Sequence, residues 1–560
     1  MPEPVLKGSH RILASRCMKS YFTHPFCAPA VLIGLYAATR LYSLLGLPMV
    51  FDEAIYLRWA DIIRNDPASL FVSAVDGKPP FFFWLNAITL GWFDDLLVSS
   101  RVISMVAGGL AVAGLWRIGA LLFSRHTAGL AALIYLSLPL VLTHDRLGLT
   151  DALLAAFVIW TVYAGLRLVR DDAPSWRWAF ALGTFAGLGF LTKTPLLMFL
   201  ALPVVAVFLF NHPSNLELWK RFSVSGVVFG ILVLPFLLHE PDYLFSNASK
   251  VLHHKVPLLD TLTAVLTFDH PRLLPHLREL FEVGLLYITV PIMTLAVVGT
   301  GVCLRAQPGI AAFLLLWFFL PTAVFLILAE VAYPRYFLVA LPPLSILTAE
   351  GLRFLMRYVH ETLKPLSPVV AGTAAIALGV ACLIPAWKWN MHYLIEPEKA
   401  AWTELDHWQY VRYPQGPYAV NDAVNFLKNE SRNGPIAVFT TFKLGIPSDA
   451  LYMYLKDQPG IDLFEAWRPI SFPRSLRSAQ EFVTVASKYQ PKKRRVVPVQ
   501  ELQGRRLYFV GSLRMFPLDR VVAENPELRL VKLYDDVGPY EVFSFAIFEW
   551  PGEGPRSWQN

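Results

Sequence analysis

Two adjacent carboxylates, Asp52 and Glu53, open the stretch "VFDEAIYLRWADII", and a lysine, Lys78, follows in "VDGKPPFFFWL". A carboxylate at a partly dry surface can take the proton of an attacking hydroxyl. A lysine where prolines start a helix stands at a ready anion site, because the first N–H groups of a helix have no internal partner. Each residue also has a purely structural reading. Asp52 stands where an N-cap would, with Phe51 and Tyr56 as the accompanying apolar staple. Lys78 can equally lay its stem along apolar surface and anchor the helix. Further charges interrupt or border apolar sequence: Asp145, Arg146, Asp151, Lys193, His253, His254, Lys255, Arg272 and Arg335. Asp151 in "LTDALLAAF" and Lys193 in "GFLTKTPLL" are the most telling, since charges enclosed by apolar residues face a bundle interior or a watery cavity. Their structural alternative pairs Asp151 with Arg146 and lets Lys193 reach the interface. The two adjacent histidines alone do not define a metal site.

The elements that must position these groups are membrane spans. Of 560 residues, 55% are hydrophobic and 16% charged, against about 25% charged in soluble domains; the mean hydropathy is +0.46. A span needs about 20 apolar residues, and about eleven runs supply them: near 28–48, 97–122, 127–144, 149–168, 177–194, 195–211, 222–239, 283–303, 309–329, 334–351 and 368–387. Basic residues of the tail (Lys7, Arg11, Arg16, Lys19) and of alternate loops (among them Arg125, Arg167, Lys220, Arg305 and Arg357) fall on one side, which is therefore cytoplasmic. The loop with Asp52, Glu53 and Lys78 is then outside, as is everything after about 390. Within that loop Ile55, Trp59, Ile62 and Ile63 recur at helical spacing opposite Glu53, Arg58, Asp61 and Arg64, the pattern of a helix lying in the membrane interface. The net charge of +7 reflects the topogenic bias and gives no reason to invoke nucleic acid. The four cysteines have no paired spacing that would indicate disulfides or zinc.

Beyond 388 the character changes. "PIAVFTT", "RRVVPV", "RLYFVGS", "LRLVKLY" and "VFSFAIFEW" read as strands, with one helix near 419–430. The expected organisation is a cytoplasmic tail over 1–27, a mainly α polytopic membrane domain over 28–387 with outer loops at 49–96 and 240–282, and a soluble extracytoplasmic α/β domain over 388–560. "PKKRR" at 491–495 reads as a solvated loop.

"FDEAIY" with "GKPPFFFWL", then "RLGLTDALLAAF", "GLGFLTKTPLL" and "YPRYFLVALPPLSILTAEGL", resemble in order the motifs of the GT-C membrane glycosyltransferases, the clan of protein O-mannosyltransferases and aminoarabinose (lipid A) transferases. The resemblance covers roughly residues 28–355. It implies an inverting enzyme that takes a sugar from a polyprenyl-phosphate donor and gives it to a lipid, glycan or protein acceptor on the outer face of a bacterial inner membrane. It makes Asp52, with its neighbour Glu53, the catalytic carboxylate and gives Lys78 the carrier phosphate. Tyr56, Arg146, Asp151, Lys193, His253, His254 and Arg335 become further donor or phosphate contacts. The sequence departs from the aminoarabinose transferases at Gly77, where they carry a metal-binding Glu, and at Ile55, where they carry an arginine. Their metal site is therefore not carried over; no cofactor is certain, and a divalent metal stays open. The competing readings are a lipid-linked sugar flippase or transporter, which predicts inverted repeats that the sequence lacks, and a non-enzymatic envelope-assembly protein.

Overall fold

A computed structural model describes residues 27–170, 175–211, 214–244, 267, 272–411, 417–441, 445–466, 481–483, 496–513, 517–534 and 545–550. The N-terminal tail, His253, His254, Lys255 and "PKKRR" lie outside the described residues.

The helices of the membrane region are α1 (Cys27–Leu41), α2 (Phe51–Asn65), α3 (Phe81–Thr89), α4 (Leu96–Leu122), α5 (Arg125–Ser137), α6 (Pro139–Asp145), α7 (Thr150–Arg170), α8 (Trp176–Thr192), α9 (Leu196–Phe199), α10 (Ala201–Phe210), α11 (Leu216–His239), α12 (Leu273–Val283), α13 (Val290–Ala306), α14 (Pro308–Leu328), α15 (Leu341–Leu363) and α16 (Pro368–Ile395). Their starts follow local chemistry. Side chains of Asp95, Ser124, Ser175, Asn215 and Ser367 accept N–H bonds at the starts of α4, α5, α8, α11 and α16, which satisfies donors that a helix cannot satisfy itself. Among the described residues six helical segments are long and apolar enough to cross a membrane: α4, α7, α11, α14, α15 with the turn before it, and α16. Two bent pairs, α5 with α6 at 70° and Leu273–Ile288 with α13 at 99°, raise the number to eight. The runs read at 28–48, 177–194 and 195–211 are helical but shorter, so length and composition do not reach the expected eleven.

Side chains that cannot intrude let helices approach. Neither Gly299 on α13 nor Gly351 on α15 has room for a Cβ, each facing backbone of the other helix, the small-residue contact that packing without a hydrophobic driving force favours.

After α16 the described residues form α17 (Glu404–Tyr410), α18 (Pro417–Arg432), α19 (Ser448–Leu455), α20 (Leu518–Glu524) and the strands β1 (Ile436–Thr441), β2 (Ile461–Ala466), β3 (Glu481–Val483), β4 (Val496–Pro498), β5 (Arg506–Ser512), β6 (Arg529–Tyr534) and β7 (Phe545–Trp550). Five form one sheet in the order β2-β1-β5-β7-β6, with β1, β2 and β5 parallel and β7 antiparallel to both neighbours; β3 and β4 pair separately. Ile436 and Val438 enter one apolar core and Ala437 and Phe439 another, so β1 is buried on both faces. That explains its unbroken apolar run.

Candidate active site

The site is built where α2 meets the turn Pro334–Ala340. The helix begins at Phe51, one residue before the expected N-cap. Asp52 is therefore inside the first turn, and Glu53 reaches back to accept the Val50 N–H at 3.0 Å. Glu53 also accepts two bonds from Arg101 on α4, both at 2.8 Å, and the Gly148 N–H at 2.7 Å. It is wholly buried. Every direction of approach to its carboxylate is occupied, which corrects its expected catalytic role: Glu53 anchors the chain entering α2, aided by Arg101 donating to the carbonyls of Leu44, Leu47 and Pro48.

Asp52 is thereby freed from capping and turned into a charged cluster. Arg335 Nη1 donates to its Oδ2 at 2.9 Å, and Lys78 Nζ stands 3.9 Å from its Oδ1. Arg335 also reaches the Tyr410 hydroxyl at 3.4 Å and lies over the Tyr333 ring. Burial alone would raise the Asp52 carboxyl, but Arg335 and Lys78 beside it hold it below the usual carboxylate range. The two cations, distant in the chain, reverse the effect of burial. Lys78 pairs with Asp76 at 2.9 Å and sits over the rings of Tyr56 and Trp59. Tyr56 is buried against Trp59, Phe82 and Phe83, so it supports the turn from below.

A second ion pair completes the cluster. Lys193, just after α8, donates to Asp151 at the start of α7 at 2.7 Å and lies over the Tyr336 ring, and both residues act electrostatically on Asp52. One hydroxyl links the two lysines' neighbourhoods. Tyr243 donates to the Gly77 carbonyl at 3.1 Å, which leaves the Thr194 hydroxyl to donate to Tyr243 at 2.8 Å. His144, at the end of α6, faces Tyr410 and has no protein hydrogen-bond partner for either ring nitrogen among the described residues, although it is fully buried.

Several expected contacts lie elsewhere. Arg146 donates to the carbonyls of Thr39, Tyr42 and Ser43, where α1 ends. Exposed helix-end carbonyls attract a guanidinium, so Arg146 clamps the end of α1, and Asp151 pairs with Lys193 instead. Asp145 is paired inside the bundle with Arg40 at 2.9 Å. Arg272 lines a neighbouring cavity of about 620 Å³ with His276, Arg278, Glu279, Glu282 and Glu404. Among the described residues no three His, Cys, Asp or Glu side chains come together to hold a metal.

The chain is similar to known proteins in sequence and in fold. The family model of the dolichyl-phosphate-mannose-protein mannosyltransferases matches residues 77–270. The undecaprenyl phosphate-alpha-4-amino-4-deoxy-L-arabinose arabinosyl transferase of Yersinia enterocolitica is 28% identical over 292 residues, covering 49% of each chain. Its counterpart in Pseudomonas savastanoi is 27% identical over 297 residues, 49% of this chain and 51% of that one. The match thus spans about half the length of these relatives. Solved structures agree over more of the chain. ArnT from Cupriavidus metallidurans in the apo state superposes with a TM-score of 0.56 at 17% identity, covering 93% of this chain and 98% of that one. The Archaeoglobus fulgidus oligosaccharyltransferase gives 0.52 at 13% identity, over 91% and 72%. The chain has the GT-C fold. With it comes a multi-pass integral membrane protein carrying a small mixed sheet after its last long apolar helix.

Proposed function

We propose that the chain is an inverting glycosyltransferase that moves a sugar from a polyprenyl-phosphate donor to an acceptor on the outer face of a bacterial inner membrane. In this reading the N-terminus is cytoplasmic and the Asp52 site and α/β domain are periplasmic. The observation that carries it is one carboxylate, Asp52, held between Arg335 and Lys78 at 2.9 and 3.9 Å, with the Asp151–Lys193 pair beside it.

Phosphate is a competent leaving group and needs cations around it more than a strong acid. Lys78, at the proline turn that starts α3, and Arg335 are placed to receive the carrier phosphate. Both now balance Asp52. A donor that engages them withdraws the two charges that keep the carboxylate weakly basic, and adds its own negative charge nearby. Asp52 would then become basic when, and only when, the donor is bound. The acceptor hydroxyl attacks the anomeric carbon, its proton passes to Asp52, and the bond to the phosphate oxygen breaks with inversion, releasing polyprenyl phosphate. The cavity between α12 and α17 offers space for an acceptor, since α17 carries Leu405 and Trp408 on the cavity wall and Tyr410 at Arg335.

Undecaprenyl phosphate is the carrier in the names of the curated relatives and in the ArnT complex with undecaprenyl phosphate, and the relatives' arabinosyl activity favours a pentose as the sugar. The test supplies purified protein in nanodiscs with a panel of undecaprenyl-phosphate-linked sugars and a membrane extract as acceptor. Transfer of label from one of them is expected. Movement of the donor across the bilayer without transfer would replace the reading with a flippase.

A further inference from the structure

The polar face of α2 is not at an open interface. Eleven of its fifteen residues are buried, including Glu53, Arg58 and Asp61, because the α/β domain sits on it. Met49, Ala54, Leu57, Leu90 and Leu97 share one apolar core with Val420, Ile446, Leu451 and Met453 of that domain. Gly445, at φ +89, lies so close to the Phe51 ring that no Cβ fits. Lys456, the cap residue just after α19, is ion-paired with Asp61, and the Arg58 guanidinium lies 3.4 Å from the centre of the Tyr452 ring while also reaching Asp61 at 3.4 Å.

The placement of this contact on the helix matters. Asp61 lies roughly two and a half turns beyond Asp52, so the two carboxylates point to opposite sides. By the same spacing Ala54, Leu57 and Arg58 share the side of Asp61, whereas Tyr56, Trp59 and Ile63 share the side of Asp52. The helix is a rod clamped between two bodies: the membrane bundle on the Asp52 face and the α/β domain on the other. Rotation of the rod about its axis would carry Asp52 away from Arg335. The contacts best placed to resist it from behind are those with α19.

We propose that the α/β domain positions the catalytic helix, with Lys456 and Tyr452 gripping Asp61 and Arg58 from behind and so fixing the direction of Asp52. This rests on the transferase reading only for its kinetic consequence; the mechanical claim is independent. Lys456 is a positioning residue and touches no substrate. Lys456→Met removes the cross-domain pair yet leaves Asp61 balanced by Arg58, so the chain should fold.

The experiment compares wild type, Lys456→Met and Lys456→Arg in nanodiscs by three readouts: turnover with the donor, binding of undecaprenyl phosphate, and hydrogen–deuterium exchange. Lys456→Met is expected to lower kcat about tenfold with undecaprenyl phosphate affinity within twofold, and to raise amide exchange over 51–65 with none over 341–363. Lys456→Arg should restore both. Unchanged exchange over 51–65 would overturn the proposal, as would parallel losses of affinity, kcat and thermal midpoint that arginine does not rescue, the mark of general destabilisation. If wild type neither binds undecaprenyl phosphate nor transfers sugar, the transferase reading fails, while the exchange result still decides the mechanical claim.

Discussion

Replacing Arg335 with methionine removes the guanidinium 2.9 Å from Asp52 and leaves Lys78, at 3.9 Å, as the nearest cation among the described residues, with Lys193 beyond it. Breaking a buried ion pair by deleting one partner costs about 3–5 kcal/mol. Asp52 and Arg335 side chains retain 14% and 12% exposure, which places the expected loss at the low end, about 3 kcal/mol. Without that guanidinium the Asp52 carboxyl rises, because burial is then opposed by less positive charge. In wild type Arg335 and Lys78 outweigh burial and hold that carboxyl below its ordinary value. Stabilisation from its charged form is therefore present above the ordinary carboxylate pKa and lost only as pH falls through the lowered one. In Arg335→Met that loss begins at higher pH. The assay is the pH profile of kcat/KM, which reports groups of the free enzyme. The acid limb should move to higher pH, and it should be absent from the residual activity of Asp52→Asn. An acid limb that stays where wild type has it would show that Arg335 does not set the charge of Asp52.

Donor binding should act in the same direction as that substitution, so in wild type the acid limb of kcat, which reports the bound complex, should lie at higher pH than that of kcat/KM; coincident limbs would contradict the exchange of Lys78 and Arg335 from Asp52 to the phosphate. Tyr243→Phe deletes the hydroxyl that joins Gly77 to Thr194, and at about 0.5–1.5 kcal/mol per hydrogen bond should weaken undecaprenyl phosphate binding roughly threefold to tenfold, measured by titration, while kcat at saturating donor is kept. Lys78→Ala should weaken the same binding further with little change in thermal midpoint; unaltered affinity would remove the proline turn from the anion site. Glu53→Gln leaves Arg101 buried without its carboxylate and should cost about 3–5 kcal/mol, seen as a large drop in detergent thermal stability.

Much of the site was legible because it depends on topology. Once the spans were placed, Asp52, Lys78, Asp151, Lys193 and Arg335 had to emerge on one side, and the structure brings these five together. Local sequence could not tell Asp52 from Glu53, since either can cap a helix. The distinction is made by Arg101, hidden inside the apolar run 97–122. An arginine within a span demands a carboxylate or carbonyl partner, and that signal was available for Arg101, as it was for Arg40. The polar face of α2 was misleading for a different reason. Helical periodicity separates polar from apolar faces but does not say whether water or a distant part of the chain covers the polar one, and Tyr452 and Lys456 come some 390 residues later. Segment lengths were also beyond reach: the apolar run at 127–144 contains the Leu138–Pro139 break that bends it by 70°, because proline supplies no N–H to continue the ladder.

The most direct test of Asp52 as the proton acceptor is a single pair of proteins, wild type and Asp52→Asn, measured side by side for undecaprenyl phosphate binding and for sugar transfer with the active donor. Asn keeps the size of the side chain and removes its basicity. Binding retained with transfer lowered a thousandfold or more is the expected result. Transfer by Asp52→Asn within tenfold of wild type would contradict it and return that carboxylate to a structural role.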